Sequence, residues 1–300
     1  MTRPGSSLRS AVRSVILKYR WLPAGATFAS GLAFFAFLMV HPRFFWTGLV
    51  AASLLLSSYA WGYSKHALSN DRFLALNHLK RRQYGQVWDA LAASRRDALR
   101  AAAGAPDEEG LRRSARRTID YLLELALISA EDDVLEIGCG VGRIGRELAP
   151  HCHTWTGADI STNMLGHASD RMQGVSNARF VLLQADGLGK LAQSSFNVVY
   201  ATNMLGHLDE LDRWRYVEEA FRLLRPGGHI FLDNIDLESD AGWNMFANDA
   251  RRYQGLEVPP YMPRFSTAAE LSAYAVRAGF ENIQSHHRPP LVILTAAKPL

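Results

Sequence analysis

The 300-residue chain predicts an α/β fold, a doubly wound and mostly parallel sheet, preceded by a two-helix transmembrane hairpin. Three observations carry this expectation. From Val134 to Asp236, short apolar runs alternate with longer helical patterns, as in successive strand–helix units. The first of these runs breaks at once into closely spaced glycines and resumes as a helix. Ahead of it lie two long uncharged stretches separated by only three residues.

Those two stretches are Leu22 to Val40 and Phe44 to Tyr63, with His41, Pro42 and Arg43 between them. Each approaches the roughly 20 residues that an α-helix needs to cross a bilayer. Trp21, Trp46, Tyr59, Trp61 and Tyr63 sit near the ends, where aromatic rings favour the interface. Gly25, Ala29 and Ala33, and again Gly48 and Ala52, recur every four residues and give each helix a small packing face. Arg3, Arg9, Arg13, Lys18 and Arg20 precede the first run, Lys65, Arg72, Lys80, Arg81 and Arg82 follow the second, and no acid occurs before Asp71. The positive-inside rule therefore puts both ends in the cytoplasm, with the later domain facing it from the cytoplasmic (inner) membrane. A cleaved signal peptide fits less well, since one span would suffice and no A-x-A-like site is evident. A hairpin buried in a soluble domain is disfavoured by two uncharged runs of this length, and an organelle presequence would account for the acid-free start alone.

The expected organisation is thus a basic N-terminus at 1–21, the hairpin at 22–63, a helical linker able to serve as a lid at 64–113, and the main domain at 114–300. The stretch 237–265 is an insertion in that domain. Apolar residues make up 48% of the chain, an ordinary share for a folded protein, and a net charge of +4 is too small to argue for a nucleic-acid partner. Two cysteines, Cys139 and Cys152, give no disulfide framework and suit a reducing compartment.

The glycine loop holds the chemistry. A strand that turns directly into a helix presents free backbone N–H groups, and glycines let a ligand approach the main chain. Gly140, Gly142 and Gly145 match the G-x-G-x-x-G of dinucleotide sites. Glu136, Gly138, Gly140 and Gly142, at alternate positions, resemble the first motif of the class I S-adenosylmethionine-dependent methyltransferases. The local motif leaves both readings open.

The rest of the chain favours the second. Thr154 to Ile160 reads as strand two, ending in Asp159, which follows Gly140 by 19 positions and can meet a ribose hydroxyl in either family. Ser161 caps the next helix. Strand three runs Arg179 to Gly187, and its Asp186–Gly187 pair resembles the methyltransferase motif whose acid faces the adenine amino group. Strand four, Phe196 to Met204, leads to His207. A helix from Leu208 to Arg225 stops at Pro226, Gly227 and Gly228, and a strand follows from His229 to Asp236. A Leu-Leu-Arg-Pro-Gly-Gly run ahead of a strand is frequent in the same family. A helix at Thr267 to Gly279 and strands at 281–288 and 291–296 complete the chain. The resemblance implies a seven-stranded sheet with the last strand inserted antiparallel.

The resemblance also implies the cofactor, S-adenosyl-L-methionine, and its contacts: Glu136, Gly138, Gly140, Gly142, Asp159, Ile160, Met164, Asp186, Gly187 and Asn203. Glu136 would lie near the methionine end, and Met164 would press on the adenine. Tyr84 and Trp88 fall on a helix that either docks its aromatic face or covers the methyl donor. Transfer needs a base only if the nucleophile must lose a proton. His207 is the candidate for that role, unless it caps the helix that follows. The insertion carries Trp243, Phe246, Tyr253, Tyr261 and Met262 and reads as an apolar substrate wall or an idle excursion. Its Pro259-Pro260-Tyr261 follows Val258 and lies far from strand four, so it is not the Asn/Asp-Pro-Pro-Tyr motif of nucleic-acid amino-methylating enzymes. His286 and His287 would point to opposite faces of a strand, and no metal site is expected.

The expected activity is methyl transfer to a small acceptor, apolar or membrane-associated, such as a lipid-like molecule or quinone precursor. Two rival activities stand beside it. An NAD(P)-dependent oxidoreductase accounts only for the glycine loop and Asp159. A membrane-tethered domain that binds the cofactor or a partner without catalysis is disfavoured by the intact loop and both acids, which speak more for binding than for turnover.

Overall fold

The computed structural model describes residue 76 and residues 79–104, 107–125, 128–184 and 187–300. All of them belong to one compact unit, Phe73–Leu300. The expected hairpin at 22–63 lies outside the described residues. Among the described residues, no helix is long and apolar enough to cross a membrane.

Among the described residues three helices come first: α1 (Tyr84–Leu91), α2 (Arg95–Ala103) and α3 (Glu108–Leu125). Ser94 caps α2 by accepting from the Asp97 N–H, and Gly104 ends it in the left-handed conformation. On α3, Leu111, Ala115, Thr118, Ile119 and Leu122 are buried, the spacing of one helical face. The described part of the stretch expected as a linker is therefore largely helical from Tyr84 onward and belongs to the same compact unit as the sheet.

Among the described residues seven strands follow: β1 (Asp133–Ile137), β2 (Thr154–Asp159), β3 (Ala178–Leu182), β4 (Phe196–Ala201), β5 (Leu224–Ile235), β6 (Glu281–Arg288) and β7 (Leu291–Ala297). Their order is β3-β2-β1-β4-β5-β7-β6. The first five pair in parallel, while β7 runs antiparallel between β5 and β6. A dinucleotide fold continues with a sixth parallel strand, so the inserted β7 separates the two readings that the glycine loop left open.

Between the strands lie α4 (Gly145–Leu148), α5 (Thr162–Arg171), α6 (Glu210–Leu223), α7 (Asp240–Arg252) and α8 (Ala268–Ala278). Leu135 and Ile137 of β1 pack with Val217, Ala220 and Leu271 of α6 and α8. Val134 packs on the other side with Ala115, Ile119 and Leu122 of α3. Strands covered on both faces read as continuous apolar runs, which is why β1 and β4 are visible in the sequence. Trp155 of β2 is fully buried in the second layer, against Ile144 and Leu148. Gly145 is required beside it, because a Cβ there would meet Trp155 Cζ2 at 2.1 Å.

Several boundaries differ from expectation. After the glycine loop the chain makes a turn, and α4 spans only Gly145–Leu148 before Pro150 tightens it into a 3-10 turn, Ala149–His151. Strand β3 ends at Leu182, short of Gly187. Strand β4 ends at Ala201, because Asn203 takes a left-handed φ of 55° that no strand continues through. The Arg-Pro-Gly-Gly run is not a turn ahead of β5 but its first part. It joins the sheet through a register shift opposite Phe196 and Val198, with Gly228 packed on the Asn197 carbonyl. The insertion is helical over α7. His286 and His287 do face opposite ways, toward Thr295 and Asp236 respectively. No metal-binding cluster occurs among the described residues.

Candidate active site

The glycine loop is tied to the neighbouring strand, since the Gly138 and Cys139 N–H groups both donate to the Ala158 carbonyl, at 2.8 and 3.1 Å. Gly140 has φ 53°, and a Cβ built on it would find only the Ala102 methyl, at 3.9 Å. The backbone there is open on the cavity side, and only glycine adopts that φ at little cost. The Gly140 N–H donates to Asp159 Oδ2 at 2.8 Å, and the Ser161 N–H donates to Oδ1 at 2.9 Å. Burial raises the Asp159 pKa, while these backbone donors act against the rise. Ser161 both caps α5, accepting from the Met164 N–H, and donates to Asp89 of α1 at 2.7 Å. Asn163 adds two more bonds to Asp89, so α1 is fastened across the start of α5.

Glu136, at the end of β1, is buried and accepts from the Tyr200 hydroxyl at 2.7 Å. Tyr200 in turn accepts from Trp155 Nε1 at 2.9 Å. Burial pushes the Glu136 carboxyl up to about 8, opposed by the Tyr200 hydrogen bond and by the charge of Arg143. Arg143 is itself buried and donates to the Ser114 carbonyl at 3.1 Å.

Beyond β4, the Asn203 N–H donates to Asp233 at 2.7 Å, and burial raises the Asp233 carboxyl to about 6. Met204 packs against Gly138, where a Cβ would lie 2.5 Å from Met204 Cγ. A 3-10 turn, Leu205–His207, follows. The His207 ring meets Trp88 edge-on, with centroids 4.7 Å apart and planes at 80°. Its Nδ1 is buried without a hydrogen-bond partner among the described residues. The ring also bonds the Tyr261 backbone, and burial followed by the charge of Arg81 lowers its pKa to about 4. His207 is therefore neutral, with Nε2–H given to Tyr261 and the Nδ1 lone pair free. It does not cap the following helix, whose N-cap residue is Asp209. Tyr84 donates to Asp212 at 2.9 Å and accepts from the Asp209 N–H at 3.1 Å. These bonds hold α1 against the start of α6.

These elements enclose a cavity of about 480 Å³. Its wall includes Glu136, Gly138, Gly140, Asp159, Ile160, Met164, Asn203 and His207, brought together from separate stretches of the chain. Met164 is almost wholly buried, packed with Leu111 and Val141. Tyr84, Trp88, Met204, Tyr216, Met245 and Pro263 add an aromatic and apolar lining.

Two of the expected contact residues lie off this wall, and a third is not described. Gly142 is not on the wall: it sits beneath Met172, whose Sδ would lie 2.9 Å from an added Cβ, so its role is packing. Gly187 makes an isolated bridge with Gln184 and is also off the wall. Asp186 lies outside the described residues. The insertion forms less of the wall than expected. Met245 and Pro263 line the cavity, but Trp243 and Phe246 are 54% and 38% exposed; they pack on each other, and Phe246 meets Phe265 edge-on.

Sequence reasoning missed two arginines. Arg81 reads as a membrane-flanking cation, yet it donates to the Gly206 and Met262 carbonyls, each at 2.7 Å. Arg213, almost fully buried, bonds the Leu205 carbonyl at 2.9 Å, Ser266 at 3.0 Å and Glu270 at 2.8 Å. No local pattern marks either residue, because most of their partners are distant in sequence.

A family model described as "Methyltransferase domain" matches residues 134–228. The 27-O-demethylrifamycin SV methyltransferase of Amycolatopsis mediterranei (strain S699) is 32% identical over 175 residues, 57% of this chain and 62% of that protein. A ubiquinone biosynthesis O-methyltransferase of Pseudomonas fluorescens (strain Pf0-1) is 27% identical over 154 residues, 49% of this chain and 63% of that protein. The chain thus spans less than two thirds of the length of these relatives. The fold matches magnesium protoporphyrin IX methyltransferase from Synechocystis PCC 6803 with bound SAH, at TM-score 0.54 and 17% identity, over 73% of this chain and 100% of that one.

Proposed function

Since residues 134–228 form a class I methyltransferase domain of the kind that uses S-adenosyl-L-methionine, we propose that the protein methylates a hydroxyl of a small, largely apolar acceptor. The observation that carries this reading is His207, a neutral imidazole with an unpartnered Nδ1, in the same cavity as the glycine loop.

The residues present fit the cofactor. The backbone above Gly140 is open, Asp159 offers an acceptor for a ribose hydroxyl, and Glu136 supplies a carboxyl for the ammonium of the methionine end. Ile160 and Met164 give an apolar surface for the adenine, and Asn203 a polar contact. When bound, S-adenosylmethionine supplies a methyl group on a good leaving group, so positioning does much of the work. A hydroxyl acceptor must lose its proton as the new bond forms, and His207, on the cavity wall with an unpartnered Nδ1, is the residue to take it. Trp88 packs edge-on against the ring, and Met204 and Met245 add apolar wall beside it. The named O-methylating relatives are consistent with a hydroxyl acceptor.

The apolar lining and the two uncharged runs at 22–40 and 44–63 support an acceptor held at or near a membrane. In this reading the runs form a hairpin, both chain ends are cytoplasmic, and tethering raises the local concentration of enzyme and lipid-borne acceptor. Membranes lacking the protein, incubated with the full chain and methyl-labelled cofactor, should give label in the organic-extractable fraction. Label confined to protein or to water-soluble products would overturn the apolar acceptor.

A further inference from the structure

We propose that Arg81 is a positioning residue for His207: its guanidinium fork fixes the Leu205–His207 turn so that a single ring face and a single ring nitrogen are offered to the acceptor. This rests on the reading that His207 takes the acceptor's proton.

The first observation is where unmet polarity collects. Among the described residues, the buried side-chain polar atoms without a hydrogen-bond partner are Arg81 Nε, His207 Nδ1 and Asp209 Oδ1. All three belong to one neighbourhood, and two of them form an ion pair of 3.2 Å that is misaligned for a hydrogen bond. Buried polar atoms are ordinarily paired, so such a cluster marks a place held for something other than stability.

The second observation is how the turn is held. Arg81 Nη2 donates to the Gly206 carbonyl and Nη1 to the Met262 carbonyl, each at 2.7 Å. The Gly206 carbonyl also accepts from the Arg264 N–H at 2.6 Å, and Arg213 takes the preceding carbonyl, Leu205, at 2.9 Å. Gly206 has no room for a side chain, as a Cβ would lie 2.8 Å from Asn234 Oδ1. The peptide before His207 is therefore clamped by two arginines. Only a planar fork reaches two carbonyls and a carboxylate at once, which lysine cannot do.

The third observation is the origin of the clamp. Arg81 lies just ahead of α1, which also supplies Trp88 against the His207 ring and Tyr84 against Asp212 and the Asp209 N–H. One short stretch thus sets the ring from the backbone side and from the ring side. The charged and titratable groups around the imidazole are Arg81 and Tyr84 from this stretch, Asp209, Glu210, Asp212 and Arg213 from α6 and its start, and Tyr261 and Arg264 from the insertion. Asp209 is shared between Arg81 at 3.2 Å and Arg264 at 3.3 Å, so it cannot offset both cations. The nearby positive charge of Arg81 works with burial to keep His207 unprotonated.

The test uses the full chain, labelled with ¹⁵N-histidine and held in detergent, with the His207 imidazole signals assigned from His207→Gln. In the native protein the ring should be a single Nε2–H tautomer that stays neutral down to about pH 5. Arg81→Met should move its titration upward toward the ordinary 6.5 and mix the tautomers, while S-adenosylhomocysteine binding changes less than threefold. Arg81→Lys keeps the charge without the fork: the titration should stay low and the tautomers should still mix. Either variant that binds S-adenosylhomocysteine and leaves both tautomer and titration native overturns the proposal. Should Arg81→Met fail to fold, Arg81→Lys alone decides, by its tautomer. Full methyl transfer by His207→Gln would instead defeat the base reading, and the tautomer measurements on the Arg81 variants would still decide the clamp.

Discussion

Glu136→Gln is a sharp test of the site's electrostatics, because the wild-type carboxyl carries a cost that the amide does not. Burial raises its pKa from 4.5 to about 8. The folded protein therefore holds a proton that the unfolded chain has released, over the window from about pH 4.5 to 8. A raised carboxyl pKa gives stability that is fully present below the unfolded value and is lost as pH rises through the folded one. At about 1.4 kcal/mol per pKa unit, the loss is on the order of 3 kcal/mol at pH 7 and 5 kcal/mol above pH 8. Glutamine has the same shape and still offers Tyr200 an oxygen to bond, so the Trp155–Tyr200 chain survives. The variant should thus be more stable than the native protein at pH 8 and nearly equal to it at pH 5. For a unit of this size, about 1 kcal/mol moves Tm by roughly 2–4 °C, so a gain of roughly 10 °C or more is expected at pH 8. Thermal unfolding of both proteins without cofactor, followed by near-UV circular dichroism from pH 5 to 8, gives the comparison. An equal Tm difference at both ends of that range, or a loss throughout, would refute the reasoning.

The same carboxyl should lose its proton when a ligand ammonium binds beside it. Calorimetric titration with S-adenosylhomocysteine at pH 7 in buffers of different ionisation enthalpy should show net proton release, absent in Glu136→Gln. His207→Gln should lower methyl transfer by ~10²–10⁴ while leaving S-adenosylhomocysteine affinity nearly unchanged, as initial rates and calorimetry would show. Because burial and Arg81 hold the imidazole near 4, it is neutral above that value, and the native rate should not lose its base until the pH falls below about 5. Gly145→Ala, which drives a methyl into Trp155, should destabilise the fold by about 1–3 kcal/mol. Denaturant midpoints would check it.

Much of the fold is legible because its strands are covered on both faces. Val134 to Ile137 and Val198 to Ala201 read as largely apolar runs, and the glycines between strand and helix mark the loop. Ser161 is legible as a cap, and it accepts from the backbone as expected. Boundaries are less legible where long-range packing decides them. Arg225 to Gly228 has the composition of a turn, yet the sheet edge takes it into β5. Asn203 ends β4 through a left-handed backbone held by Asp233, far along the chain. At the site, Glu136, Gly140, Asp159 and His207 can be named from motif spacing and do line one cavity. Gly142 has the same spacing but serves packing. Arg81 and Arg213 cannot be named, since a charge on an amphipathic stretch looks solvated until its distant carbonyl partners are known.

The cavity suits S-adenosylmethionine rather than a nicotinamide dinucleotide. Calorimetric titration of the full chain with S-adenosylhomocysteine, and separately with NADH, tests it most directly. Saturable one-to-one binding of S-adenosylhomocysteine and none of NADH is expected. Asp159→Asn should cost about 1.5–3 kcal/mol of binding by removing a charged acceptor. Saturable NADH binding with no response to S-adenosylhomocysteine, or an Asp159→Asn variant with native affinity, would contradict it.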